Sequence, residues 1–289
     1  MNRINVYVAL ALHTLIAGAT HIVAKAVVTD IHPATLLLLR SLISAGALFI
    51  LFSARSGRLR IETRDWWSIA VLGFLGVSLN QFLYLYGLTF TTAANGALLY
   101  AATPVFVLLI SRFSLKEPIT SRKTIGVILA VIGMTVIVFE RGVDFSSGYA
   151  FGNLMILIAV LAWGAFTVWG KPMIAKYGAL QTTTAMMIAG AAIYFPYGLA
   201  HSLDFQFSQL TPLHWTGILY LSLGTSVIGY LLWYHALGKI EAGKAAVFSN
   251  GQPIFATILA LIFLEYTITG SFVIGGTVTI AGIIITQLG

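Results

Sequence analysis

The length of its apolar runs narrows what this chain can become more than any other feature. Ten runs, at residues 4–28, 33–53, 66–88, 93–111, 124–139, 149–170, 180–200, 213–237, 245–264 and 272–288, approach the ~20 residues that a helix needs to cross a hydrocarbon core of about 30 Å. The fifth is the shortest, and its start is expected nearer Ser121. The expected fold is an all-α membrane protein of ten transmembrane helices. Connections are short and carry turn residues, such as Asp30-Ile31-His32-Pro33 and the stretch from Gly238 to Gly243, so no separate soluble domain is expected. The first run follows Arg3 and resembles a secretory signal, but nine further runs follow it, so it is read as the first span.

Composition agrees: 58% of residues are hydrophobic and 9% charged, against about 25% charged in a soluble domain. A water-soluble surface, a nucleic-acid groove and a disordered tail are thereby excluded. Without cysteine there are no disulfides, no Cys-ligated zinc and no thiol nucleophile; no metal and no cofactor is expected. The net charge of +7 raises the question of an anionic partner, and its distribution answers it. With the N-terminus inside, 13 of the 16 Lys and Arg fall in segments facing the cytoplasm, Arg141 alone falls outside, and Lys25 and Arg40 lie within spans. Positive residues are retained on the cytoplasmic side, so both termini are expected there, in a cell (inner) membrane, and no nucleic-acid partner is needed to explain the charge.

The chain also aligns with itself. A shift of 149 superimposes Leu88 on Leu237, Ala93 on Ala242, Ala97 on Ala246, Pro104 on Pro253, Phe106 on Phe255, Ile125-Gly126 on Ile274-Gly275 and Gly133 on Gly282. Nearer the front of each half, a shift of 146 superimposes Gly18-Ala19 on Gly164-Ala165 and Lys25 on Lys171. Two units are expected, 1–144 and 145–289, each of five spans; an odd number inverts the second in the membrane. Inverted repeats of this kind belong to alternating-access carriers, with the cargo site near the midplane between the halves.

Taken together, the plan of five plus five spans, Trp163-Gly164, the paired Lys25 and Lys171, Arg40, the stretch Ala-Ala-Asn-Gly-Ala-Leu-Leu-Tyr-Ala-Ala-Thr-Pro at 93–104 and Lys116-Glu117-Pro118 resemble the EamA family of the drug/metabolite transporter superfamily. The resemblance covers nearly the whole chain. It implies a ten-helix carrier of small polar or aromatic metabolites, often an amino-acid exporter, in a bacterial inner membrane. Two features depart from it: Ala17 stands where the second half has Trp163, and Glu265-Tyr266-Thr267 replaces Lys-Glu-Pro.

Candidate binding residues follow from polar and aromatic positions inside otherwise apolar spans. In the third span Gly73, Val77, Asn80, Tyr84 and Gly87 share a stripe; in the eighth the related stripe is Ser222, Ser226, Gly229 with Tyr230, and Trp233. Tyr84 and Trp233 are thus equivalent, as a site on a pseudo-two-fold axis requires. Alternatively, the small residues only permit close packing. Around the mid-span prolines, Tyr100 and Asn250 are preferred over Gln252 as substrate contacts. Arg40, seven residues beyond Pro33 and so about 10 Å into the bilayer at ~1.5 Å per residue, can clamp a carboxylate or serve a structural role. Trp163 offers stacking and an N–H. His13 and His21 are candidates for ion coupling, while Trp66 and Trp67 belong to the interfacial belt. Gly126, Gly133, Gly275 and Gly282 read as packing faces, within the fold or between protomers, and the oligomeric state is left open. No span holds a deep carboxylate, so exchange or facilitated diffusion is as well supported as tight proton coupling.

The expected protein is a carrier, not an enzyme, for small neutral or zwitterionic metabolites, amino acids first and aromatic ones among them. Only Arg40 is available deep in the spans to bind phosphate, which argues against nucleotide-sugars. No carboxylate cluster or nucleophile–base pair supports a transferase, and no charged ring or filter supports a channel.

Overall fold

A computed structural model describes residues 4–56, 58–139, 143, 146–255 and 269–289. Arg3, Glu140, Arg141, Glu265-Tyr266-Thr267 and the second half of the ninth span lie outside them. The described residues are helical with no strand. Eight helices are long and apolar enough to cross a membrane: Asn5–Asp30, Pro33–Arg55, Thr63–Phe90, Ala93–Ser114, Ser121–Phe139, Ala150–Ala200, Pro212–Leu237 and Gly270–Gln287.

Eight rather than ten has a simple origin. Ala150–Ala200 is 51 residues, about 77 Å at ~1.5 Å per residue, more than twice the hydrocarbon thickness. It reverses direction at Gly178, whose φ of 77° and ψ of 163° suit a residue without a Cβ. Beyond the turn the Thr182 hydroxyl donates to the Met173 carbonyl at 3.1 Å, so the two legs are the sixth and seventh spans. The described part of the ninth span is 242–255, too short to qualify alone. As expected, the fifth span begins at Ser121.

Several spans depart from regular α-helix. The third carries a π-helical segment at Phe74–Leu79 and the eighth one at Tyr220–Gly229; the two overlap at the 149-residue shift. The fourth is broken between Ala93–Tyr100 and Thr103–Ser114, with Pro104 in the first turn of the restarted helix, where a missing N–H costs nothing. In the ninth, a 3₁₀ segment at Val247–Gly251 precedes Pro253. Corresponding helices are thus interrupted at corresponding depths.

The fifth and tenth spans form a separate pair at one edge. Their glycines face one another: a Cβ on Gly133 would lie 2.5 Å from the Gly275 carbonyl oxygen, and one on Gly282 would lie 2.5 Å from the Ala130 nitrogen. The packing faces expected from the sequence are therefore used inside the chain. Trp66 and Trp67, 44% and 78% exposed, sit at a helix end beside Arg64 and Asp65, as interfacial residues do.

The opposing backbones leave no room for a side chain at this contact. Gly133→Val is expected to cost about 3 kcal/mol or more and to abolish a monodisperse peak in detergent. Gly46→Ala, inside a helix and with nothing within 4 Å of its added carbon, should melt at or slightly above the temperature of the unmodified protein, because Ala is the better helix former.

Candidate functional site

A cavity lies deep among the first, second, third, fourth, sixth, eighth and ninth spans. Its empty volume is about 570 Å³, of which about 70 Å³ admits the centres of water molecules. The second figure is room for a few waters, so the walls stand close together in this conformation.

From the first span come His13, Ala17, Thr20 and His21, at spacings of three and four along one helix face. The His21 ring bridges two other spans: Nδ1 lies 2.6 Å from the Tyr84 hydroxyl and Nε2 2.8 Å from Gln252 Oε1. An Nε2–H ring satisfies both, because Tyr84 then donates to Nδ1 and the Gln252 amide oxygen accepts. Nδ1 of His13 donates to the Gly229 carbonyl at 3.0 Å, and its ring packs 4.7 Å from that of Trp233.

The third span contributes Asn80, Gln81 and Tyr84. Two adjacent residues reach the same cavity because the π-helical segment ends just before them and shifts the register of the face. Within that segment the Gly76 carbonyl accepts from the Tyr230 hydroxyl at 2.7 Å. Gln81 donates to that hydroxyl at 3.0 Å. Asn80 donates to the Tyr100 hydroxyl at 2.8 Å and to the Ala159 carbonyl at 2.7 Å. Opposite them, Trp163 stacks on Phe166 with centroids 5.1 Å apart and meets Tyr230 edge-on at 5.2 Å.

Arg40 is 3% exposed and reaches the cavity from the second span. Its Nε–H donates to the Ser226 hydroxyl at 2.8 Å. Among the described residues no carboxylate lines the cavity.

Of the expected contacts, Arg40, Asn80, Tyr84, Tyr100, Trp163, Tyr230, His13 and His21 stand together on this wall. Trp233 does not: it is fully buried one layer behind, with its indole N–H 3.3 Å from the Thr167 hydroxyl. Asn250 is also off the cavity, and Gln252, ranked below it from the sequence, faces in. The 3₁₀ segment turns a face by about 120° per residue rather than about 100°, which an α-helical reading of that stretch misses. The pair of equivalent positions that meets is Gln81 with Tyr230, 149 residues apart, rather than Tyr84 with Trp233. Gly73 packs on Gly190 and Gly87 on Gly152, both as helix contacts. Gln81, Thr20 and Thr225 were not singled out from sequence; alternation of the π turn with the α-helix hides the first, and hydroxyls that often bond their own helix hide the others.

Polar ties join the helix ends at the face carrying most of the Lys and Arg. Lys171 donates to the Glu117 carboxylate at 2.6 Å, and the same carboxylate accepts from the backbone N–H of Ala242 at 3.1 Å and of Gly243 at 3.5 Å. Glu117 thus connects the fourth and sixth spans to the start of the ninth. Lys123 pairs with Glu241 beside it. Lys25, the repeat partner of Lys171, has a different task at the opposite face, donating to the Leu88 and Thr91 carbonyls at 2.6 and 2.9 Å and so capping the third span.

A multi-pass, all-helical membrane protein with a small cavity between its spans is what a solute carrier requires. A sequence profile of the EamA-like transporter family matches residues 4–139 and again 150–288; the chain belongs to that family, among transporters rather than enzymes. Over 289 residues it is 31% identical to an uncharacterized transporter, YetK, of Bacillus subtilis (strain 168), spanning 99% of this chain and 88% of the relative. Similarity at 26% identity, over 78% of this chain and 74% of the other, extends to a probable terminal-alkyne amino-acid exporter of Streptantibioticus cattleyicolor. A solved crystal structure superposes with a TM-score of 0.80 at 20% identity, covering 97% of this chain and 95% of that one, and shares the fold.

Two outcomes follow from this geometry. Both amide atoms of Asn250 are buried without a partner, so Asn250→Leu should raise the melting temperature in detergent, by about 1–3 kcal/mol of stability. For Glu117, burial pushes the carboxyl up, but Lys171 and the two N–H groups outweigh it and hold the group below the usual carboxylate range. A depressed folded-state pKa contributes stability above the unfolded value of about 4.3 that is lost as pH falls through the folded one. Melting curves should therefore show the difference between wild type and Glu117→Gln at pH 6–7 shrinking as pH falls below about 4.

Proposed function

We propose that this protein is a carrier that moves small neutral or zwitterionic metabolites, amino acids first and aromatic ones among them, out of the cell by alternating access. Residues 1–144 and 145–289 are its two inverted halves, and both termini face the cytoplasm, the side on which 13 of the 16 Lys and Arg fall. The observation that carries this reading is the deep cavity walled by both halves, with Gln81 of one bonded to Tyr230 of the other. Such a wall changes shape when the halves rock against each other. The polar contacts suit a small polar cargo, and Trp163 with Tyr84, Tyr100 and Tyr230 offers faces for a flat side chain.

The ties of Glu117 to Lys171, Ala242 and Gly243 join the helix ends of the two halves at the face carrying most of the Lys and Arg. The name of the Streptantibioticus relative as an amino-acid exporter supports the cargo class and the direction.

Counterflow tests the proposal. Proteoliposomes preloaded with unlabelled phenylalanine should transiently accumulate labelled phenylalanine, and Trp163→Ala should reduce the initial rate about tenfold or more. Flux that is not accelerated by cargo on the far side would point to a channel, and no uptake above empty liposomes would remove phenylalanine from the cargo range.

A further inference from the structure

The cavity wall carries several hydrogen-bond donors without a partner. A guanidinium carries five N–H donors and no acceptor, and the bond from Nε to Ser226 is the only one Arg40 makes among the described residues. Its remaining donors have no acceptor among them. The Tyr100 hydroxyl accepts from Asn80 and has its own hydrogen unassigned. Trp163 lines the same space with an indole N–H that bonds to no described residue. Some acceptors are occupied, the Gly76 and Gly229 carbonyls by Tyr230 and His13 and Gln252 Oε1 by His21, whereas Gln81 Oε1 has no partner among the described residues. An ion buried without its counter-charge is costly, and the cavity holds a fixed cation with no carboxylate among its lining residues.

We infer that the cavity recognises its cargo through a carboxylate seated on Arg40. The inference rests on reading this cavity as the cargo site and narrows that reading: the acid end of the cargo is what the site holds. Two parallel N–H groups of a guanidinium match the two oxygens of a carboxylate, a fit that neutral amides do not reproduce. Tyr100 and Trp163 supply further donors to the same acceptor-only group. A cationic amine meets the opposite situation, since the fixed charge of Arg40 repels it. Were Arg40 a purely structural residue holding Ser226, the charge of the ligand would not matter.

Three ligands of one shape separate these readings: 3-phenylpropionate, its neutral amide, and phenethylamine, each titrated into the purified full chain in detergent while tryptophan fluorescence and melting temperature are followed. The acid should bind saturably and raise the melting temperature, with the amide and the amine about tenfold or more weaker. Arg40→Met should lose the preference for the acid. If that variant does not fold, the comparison on the unmodified protein decides alone. Equal binding of acid, amide and amine, absence of acid binding, or an acid preference that persists in a folded Arg40→Met protein would each overturn the inference. Counterflow of labelled 3-phenylpropionate in proteoliposomes keeps the two proposals apart: acid-selective binding without counterflow removes the carrier reading and leaves the carboxylate site, whereas counterflow without acid selectivity does the reverse.

Discussion

Every backbone N–H and C=O in the hydrocarbon region has to be paired inside the protein, because lipid offers no partner. This constraint makes the chain helical throughout its described spans, and it gives the departures from regular helix their meaning. The π-helical segments of the third and eighth spans and the breaks in the fourth and ninth lie around the cavity, where side chains bond to backbone carbonyls of the irregular turns. Tyr230 occupies the Gly76 carbonyl and His13 the Gly229 carbonyl. The irregular turns thereby create polar contacts in the middle of a membrane while leaving those groups satisfied.

Charge is divided by the same logic. The ion pairs of Glu117, Lys171, Lys123 and Glu241 cluster at the helix ends, where water is near and desolvation is modest. Deep inside, a single guanidinium stands without a counter-charge among the described residues. The fifth and tenth spans supply no residue of the cavity wall; their glycine and threonine faces press closely together.

Much of the fold was legible because its signals are one-dimensional. Span length, the one-sided distribution of Lys and Arg, and the 149-residue self-match need no knowledge of neighbours. The identity of most wall residues was legible too, since a polar residue such as Asn80 or Arg40 cannot face lipid. What escaped were rotational positions. Trp233 and Asn250 were placed on the cavity by α-helical spacing, but local π and 3₁₀ turns rotate the helix face, turning Gln81 and Gln252 in and leaving Trp233 and Asn250 behind. The separation of the sixth span from the seventh was legible as the gap between residues 170 and 180, which holds Lys171 and Lys176, and the positive φ of Gly178 shows where in that gap the chain turns.

The sequence by itself determined that this chain is a helical membrane protein built from two related halves, because hydrophobic length, charge bias and repeat register are properties of residue order. Tertiary structure alone decided that Gln252 rather than Asn250 faces the cavity, that Gln81 meets its repeat partner Tyr230, that Lys25 and Lys171 take different partners, and that Arg40 stands there without a counter-charge among the described residues. Those facts depend on helix rotation and on contacts between residues far apart in the chain, and a small change in turns per residue redirects them without altering any pattern visible in the sequence.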